Sequence, residues 1–258
     1  MNLHEGHGVD FAVDSGLAVV RLEREHGNAI DPGLVEGLLA AARRADGDPT
    51  VRGVLLAARG KLFCPGLDLV DLRDLDRPAM RAFMNRFAEC VAAWYTLGKP
   101  VVAALQGHAL AGGCIVALLA DLRILKAGAM IGLNEVRVGV PLPYGVAWLL
   151  RDSVHRDRIE EVALLGRNYS GEEAVGVGLV HEIATEAGFD GYCMERLEEL
   201  ASKPAGAFGA TKRYLRWAVA ERLRGEPPER LEEFLDCWFE AGTRRRIDEI
   251  VAGLQKKK

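Results

Sequence analysis

Three short segments hold the residues whose types and spacing could do chemistry, and only in the third does the acid read as more than structural. Gly66 separates "LFCP" from "LDL", Gly112 and Gly113 open the apolar run "CIVALLAD", and Glu135 lies within "MIGLNEVRVGVPLPYG". Glycines where extended chain hands over to helix permit backbone conformations closed to other residues and let a ligand approach closely. A helix start also presents unpaired N–H groups and the positive end of the helix dipole. Two such donors aimed at one point hold a developing oxyanion with no charged side chain. A carboxyl beside them would add general acid–base chemistry. Taken singly, each segment fits close packing as well as it fits catalysis.

The remaining reactive residues read as structural. Asp68 and Asp71 fall in a first helical turn, where acids complement the dipole. Asp121 ends the second apolar block, and His108 precedes a Gly-rich turn; both read as framework. Cys64 and Cys114 flank the glycine segments without a neighbouring base and read as small apolar fillers. The five cysteines (64, 90, 114, 193 and 237) form no C-x-x-C pair, and their odd number leaves at least one unpaired. This implies reduced thiols rather than a disulfide framework, and no zinc site.

Those segments need elements to position them. "VDFAVDSGLAVVRL" reads as a hairpin, and "DPGLVEGLLAAARRA" as a helix with Asp31 as N-cap and Pro32 at its first position. "VRGVLLAAR", "VVAALQG" and "ADLRILK" read as buried strands. "GKLFCPGLDL" reads as a loop entering a helix, and residues 79–97 carry helical apolar spacing. Unequal alternation of strand and helix indicates an α/β fold. From about Gly188 the pattern is helix alone, and Leu231, Phe234, Leu235 and Trp238 form an apolar stripe at i, i+3, i+4 and i+7. The expected organisation is an α/β core over 1–200 and a helical oligomerisation region over 201–258, ending in three solvated lysines.

Composition narrows the function classes. Apolar residues make up 49% and charged residues 27% of the 258, and the net charge is −4. That balance gives no global attraction to nucleic acid or an anionic membrane. No apolar run reaches membrane-spanning length, and "MNLHEGHGVD" lacks a signal-peptide core. The expectation is a cytoplasmic protein with neither membrane nor nucleic-acid partner.

In order and spacing, "GKLFCPGLDLVDL", "VVAALQGHALAGGCIVALLADLRI" and "AMIGLNEVRVGVPLPYG" resemble the signature blocks of the crotonase (enoyl-CoA hydratase/isomerase) superfamily, and "GNAID" resembles its early Asn-Ala block. The resemblance spans nearly the whole chain. It implies the crotonase fold, a spiral of ββα units with a C-terminal helical trimerisation region, assembled as a homotrimer or dimer of trimers. It implies an acyl-CoA thioester substrate whose anionic intermediate is held by the backbone N–H groups of Leu67 and Gly112. Coenzyme A enters as part of the substrate, so no metal or separate cofactor is implied. CoA contacts are expected along "REHGNAI" and "GKLFCPGLD", at Arg24, Lys61, Phe63, Gly66, Leu67 and Asp68.

One departure carries mechanistic weight. Hydratases of the family use two glutamates, and here the first of those positions is Ile115 while the second is Glu135. Water addition suits two cooperating carboxylates, whereas shifting a double bond needs a single proton carrier. The chain thus most resembles the mitochondrial-type Δ3,Δ2-enoyl-CoA isomerase branch. Hydration and thioester hydrolysis are the enzymatic alternatives. A CoA-ester- or RNA-binding protein on the same scaffold is the non-enzymatic one. The acyl wall is expected from Leu75, Met80, Phe83, Met84, Phe87 and Trp94.

Overall fold

In the computed structural model, which describes residues 8–256, β1 (Val9–Asp14) and β2 (Leu17–Leu22) pair antiparallel around Ser15–Gly16. After a single turn, α1 (Glu25–Asn28), the chain enters α2 (Pro32–Gly47). Its start follows from sequence: Asp31 accepts the Leu34 N–H at 2.8 Å, and Pro32 stands where a missing N–H costs nothing. The polar amino terminus and Lys257 and Lys258, read above as solvated, lie outside the described residues.

Three units then repeat one plan of long strand, short strand and helix. The first holds β3 (Gly53–Ala58), β4 (Leu62–Cys64), α3 (Leu69–Leu72) and α4 (Arg77–Tyr95). The second holds β5 (Val101–Leu105), β6 (His108–Leu110) and α5 (Gly112–Leu118). The third holds β7 (Leu122–Lys126), β8 (Met130–Gly132), α6 (Glu135–Val138) and α7 (Tyr144–Ser153). Next come α8 (Ile159–Leu164), β9 (Tyr169–Ser170), α9 (Gly171–Gly176) and β10 (Glu182–Ala184). Four helices finish the chain: α10 (Phe189–Ala201), α11 (Ala205–Arg224), α12 (Pro228–Phe239) and α13 (Ala241–Gln255).

The long strands stack as a six-stranded sheet, β1-β2-β3-β5-β7-β10, parallel except for the first pair. The short ones form a second sheet, β4-β6-β8-β9, parallel except for the last pair. Each unit thus steps from the large sheet to the small one and winds the chain into a spiral, the crotonase fold. Strand periodicity explains how the large sheet is covered on both faces. Val54 and Leu56 of β3 turn to the main core beneath α2 and α4, while Leu55 and Ala57 turn to a second cluster formed with Phe189, Cys193 and Leu197 of α10. Helices α11 to α13 return to the main core through Leu223, Phe234, Trp238, Ile247 and Val251.

Two charged residues, half-buried Asp121 and buried Arg123, tie the spiral together. Asp121 accepts the Val101 N–H at 2.7 Å and pairs with Lys212 at 2.7 Å and Arg216 at 2.9 Å, joining β5 and β7 to α11. Arg123 has no carboxylate partner among the described residues. It donates instead to the carbonyls of Ala120, Ser153, Gly178 and Leu179, which lie at or just beyond the ends of α5, α7 and α9. Negative helix ends suit a cation there, although burial holds the guanidinium pKa down to about 10.

Candidate active site

Bonding on either side of Leu67 aims its amide. Ile30 bridges to Leu67 in parallel register: the Ile30 N–H donates to the Gly66 carbonyl at 2.8 Å, and the Asp68 N–H donates to the Ile30 carbonyl at 2.8 Å. With both neighbours bonded toward Ile30, the Leu67 N–H turns the other way. Asn28, fully buried, secures the approach by donating to the carbonyls of Arg59 and Leu62 at 3.0 and 3.1 Å. Gly66 has φ +107°, a conformation in which a side chain is strained.

The second loop needs its glycines for space. Gly112 and Gly113 have no positive φ, and a Cβ on Gly113 would lie 2.1 Å from the Cys64 carbonyl oxygen. The unusual backbone belongs to Ala111 (φ 47°, ψ −122°), whose N–H donates to the Gly132 carbonyl at 2.8 Å. Strain of this kind costs on the order of 1–3 kcal/mol and persists only where the surroundings impose it. The two loops abut: a Cβ on Gly66 would sit 3.2 Å from the Gly112 nitrogen, and one on Gly112 3.6 Å from the Leu67 nitrogen. Among the described residues, neither the Leu67 nor the Gly112 N–H has an acceptor. Two adjacent donors therefore stand unpaired where β4 and β6 end.

Glu135 opens α6 directly after β8 and Asn134. Its backbone carbonyl accepts the Gly139 and Val140 N–H groups at 3.1 and 3.2 Å, and Thr243 of α13 donates its hydroxyl to the Gly139 carbonyl at 3.1 Å. The residue is 8% exposed, and neither carboxyl oxygen has a hydrogen-bond partner among the described residues. Burial pushes its pKa up to about 7. Desolvation disfavours the charged form, and no cation opposes it.

Leu67, Gly112, Ile115 and Glu135 line one cavity of about 190 Å3, so the structure brings together two free N–H groups, one carboxyl and the isoleucine. The nucleotide-side residues are placed differently. Arg24 pairs with Asp31 at 2.5 Å and donates to the Ala29 carbonyl at 3.2 Å, so two acceptors already engage it. Lys61 is exposed beside the first loop. Phe63 is fully buried in the main core and does not line the cavity. Asp68 caps α3, accepting the Val70 and Asp71 N–H groups at 3.1 and 3.3 Å.

The acyl wall differs in part from its expectation. Met84 and Phe87 line the cavity, but Met80, Phe83 and Trp94 are core, and Trp94 donates to the Leu38 carbonyl at 2.9 Å. Phe234 and Trp238 of α12 and Ile250 of α13 complete the wall. Their stripe was legible as buried, yet periodicity does not say whether a buried face meets core or cavity. His108 accepts the Met130 N–H at 3.0 Å as framework. Cys64 and Cys114 are buried free thiols; desolvation pushes Cys64 up to about 12 and Cys114 higher still, which makes both poor nucleophiles.

A spiral of ββα units whose first two turns end on facing amides, with one buried carboxyl between the third turn and the cavity, defines a class of acyl-thioester enzyme. The chain belongs to the enoyl-CoA hydratase/isomerase family, whose model matches residues 12–230. It is 31% identical to a probable enoyl-CoA hydratase of Rhodobacter capsulatus, over 85% of this chain and 89% of that protein. It is 25% identical to human enoyl-CoA delta isomerase 1, mitochondrial, over 95% of this chain and 82% of that one. The crystal structure of human mitochondrial Δ3,Δ2-enoyl-CoA isomerase superposes with a TM-score of 0.92, covering 97% of this chain and 99% of that chain at 25% identity.

Proposed function

We propose that this enzyme is a Δ3,Δ2-enoyl-CoA isomerase, and that Glu135 is its single proton carrier. The observation carrying the proposal is one desolvated carboxyl sharing a cavity with two unpaired backbone donors, with Ile115 where a second acid would stand. The Glu135 carboxylate removes a proton from C2 of a 3-enoyl thioester. The electron pair from the broken C2–H bond delocalises through C1 onto the thioester oxygen, which accepts hydrogen bonds from the Leu67 and Gly112 N–H groups, and by conjugation through C3 gives C4 carbanion character. The protonated Glu135 then returns the proton at C4, leaving the double bond between C2 and C3. A pKa near neutrality lets one group serve as base and then as acid. Ile115 lowers the local water content, which protects the dienolate from other proton donors.

Relatives named as hydratases make water addition the reading to be tested against. Incubating the purified protein with 3-enoyl-CoA and, separately, with 2-enoyl-CoA is expected to yield 2-enoyl-CoA from the first and little 3-hydroxyacyl-CoA from the second. Efficient hydration would overturn the proposal.

The same reading includes a homotrimer or dimer of trimers. Its support is the apolar patch on α11, where Tyr214, Leu215 and Trp217 are largely exposed. It also places the enzyme in the cytoplasm, in keeping with five free thiols. No described helix is long and apolar enough to cross a membrane. The basic residues of α4 are all engaged, Arg77 by Glu232 and Asp236, Arg81 by Glu232, and Arg86 by Glu36 and Glu89, which supports omitting a nucleic-acid partner.

A further inference from the structure

The acyl cavity is not the only space beside α12. A second cavity, of about 620 Å3, lies against it, and four residues line both: Met84, Phe87, Pro143 and Phe234. They come from three separate elements, so together they form a ring between the two spaces rather than one shared wall. The order of side chains along α12 shows the direction. Leu231 lines only the outer cavity, Phe234 lines both, and Trp238 lines only the inner one. The outer space carries polar residues, among them Arg81, Asn85 and Glu226, whereas at the junction the lining is wholly apolar.

Two of the ring members are held rigidly. Phe87 stacks on Phe83 with centroids 6.5 Å apart, and Phe234 stacks on Trp238 at 6.2 Å. Pro143 is fixed by its own ring at the start of α7. Met84 alone is unbranched and adaptable. Phe234 is 3% exposed and is the one α12 residue that reaches both spaces.

We infer that the ring of Met84, Phe87, Pro143 and Phe234 is the floor of the acyl site, that it restricts the enzyme to short and medium acyl chains, and that Phe234 sets the limit. This rests on the acyl-thioester reading above. A longer tail has to displace a stacked aromatic ring before it gains the outer cavity. With the Phe234 ring removed, the two spaces merge and the tail passes between α4 and α12.

Binding of saturated acyl-CoA thioesters tests this without relying on turnover. Hexanoyl-, octanoyl-, dodecanoyl- and palmitoyl-CoA are titrated calorimetrically into the full chain, below the concentrations at which they form micelles. Affinity is expected to rise to about eight carbons and then stop rising or fall. Phe234→Ala is expected to raise palmitoyl-CoA affinity relative to hexanoyl-CoA by at least about tenfold. Phe234→Leu, a milder change that guards against a folding defect, shifts the ratio the same way by less. If the unaltered protein gains affinity steadily through palmitoyl-CoA, or if both folded variants keep its length profile, the inference is wrong. If that happens while 3-enoyl-CoA is still isomerised, the proposed function survives it. Binding of no thioester at any length overturns both.

Discussion

Two carboxyl groups, on half-buried Asp121 and buried Glu135, are held in opposite ways. Asp121 meets a backbone N–H, a lysine and an arginine, all within 2.9 Å, and its charge is spent joining strands to α11. Glu135 meets none of these, and its oxygens have no partner among the described residues. A buried charge without a partner is expensive, so folds keep one only where something else requires it. The pairing separates an acid committed to structure from one left free for the proton transfer proposed above.

Exchanging each acid for its amide should break the comparison most sharply. Glu135→Gln is expected to lower kcat/KM for 3-enoyl-CoA isomerisation by about 1,000-fold, with acyl-CoA binding retained. Asp121→Asn is expected to leave turnover per folded molecule intact but to destabilise the fold by about 2–4 kcal/mol, because buried Lys212 and half-buried Arg216 lose their counter-ion. Steady-state kinetics and chemical denaturation on both variants check this. An activity loss in Asp121→Asn exceeding its unfolded fraction would erase the distinction.

A smaller effect, of opposite sign, should appear in stability. The Glu135 pKa rises from 4.5 to about 7 on folding. Between those values the folded state holds the proton more tightly, so stability falls as pH rises through that window and stays lower above it. Glu135→Gln removes the ionised form and is expected to stabilise the protein by about 1–3 kcal/mol at pH 8, with a smaller gain at pH 5. Equal effects at both pH values would mean that ionisation is not the cause.

The subtlest expectation concerns the pH profile. kcat/KM should rise with pH and level off above about 7, as the carboxylate forms. Ile115→Glu would place a second acid in the same cavity, and like charges should move that midpoint upward by about one unit. Hydration of 2-enoyl-CoA should appear in the same variant. An unmoved midpoint would show that position 115 does not communicate with Glu135.

Much of this was readable before any coordinates. The hairpin, α2 with its Asp31 cap, the long buried strands and the C-terminal helices follow from periodicity and end signals. So does the bringing together of Leu67, Gly112, Ile115 and Glu135, once the blocks are recognised in order. The short strands were not readable: β4 and β6 span three residues each, too few for an alternating pattern; β4 was absorbed into a loop and β6 was given no element. The positive φ falls on Ala111 rather than on the glycines beside it, because the Gly132 carbonyl and the packing of α5 on β4 impose it. Arg24 looked available for an anion because Asp31, seven residues on, gives no local sign that it reaches back. Phe234 and Trp238 were visible only as a buried stripe.

The pair of amides at Leu67 and Gly112 belongs to the main chain, and that alters what mutation can reach. Any replacement at position 67 except proline keeps the N–H, whatever happens to the side chain. A lineage carrying this fold can therefore drift at that position and pass on the pair of free donors intact. New activities would be written elsewhere, at positions such as 115, 135 and 234, where heredity acts on side chains.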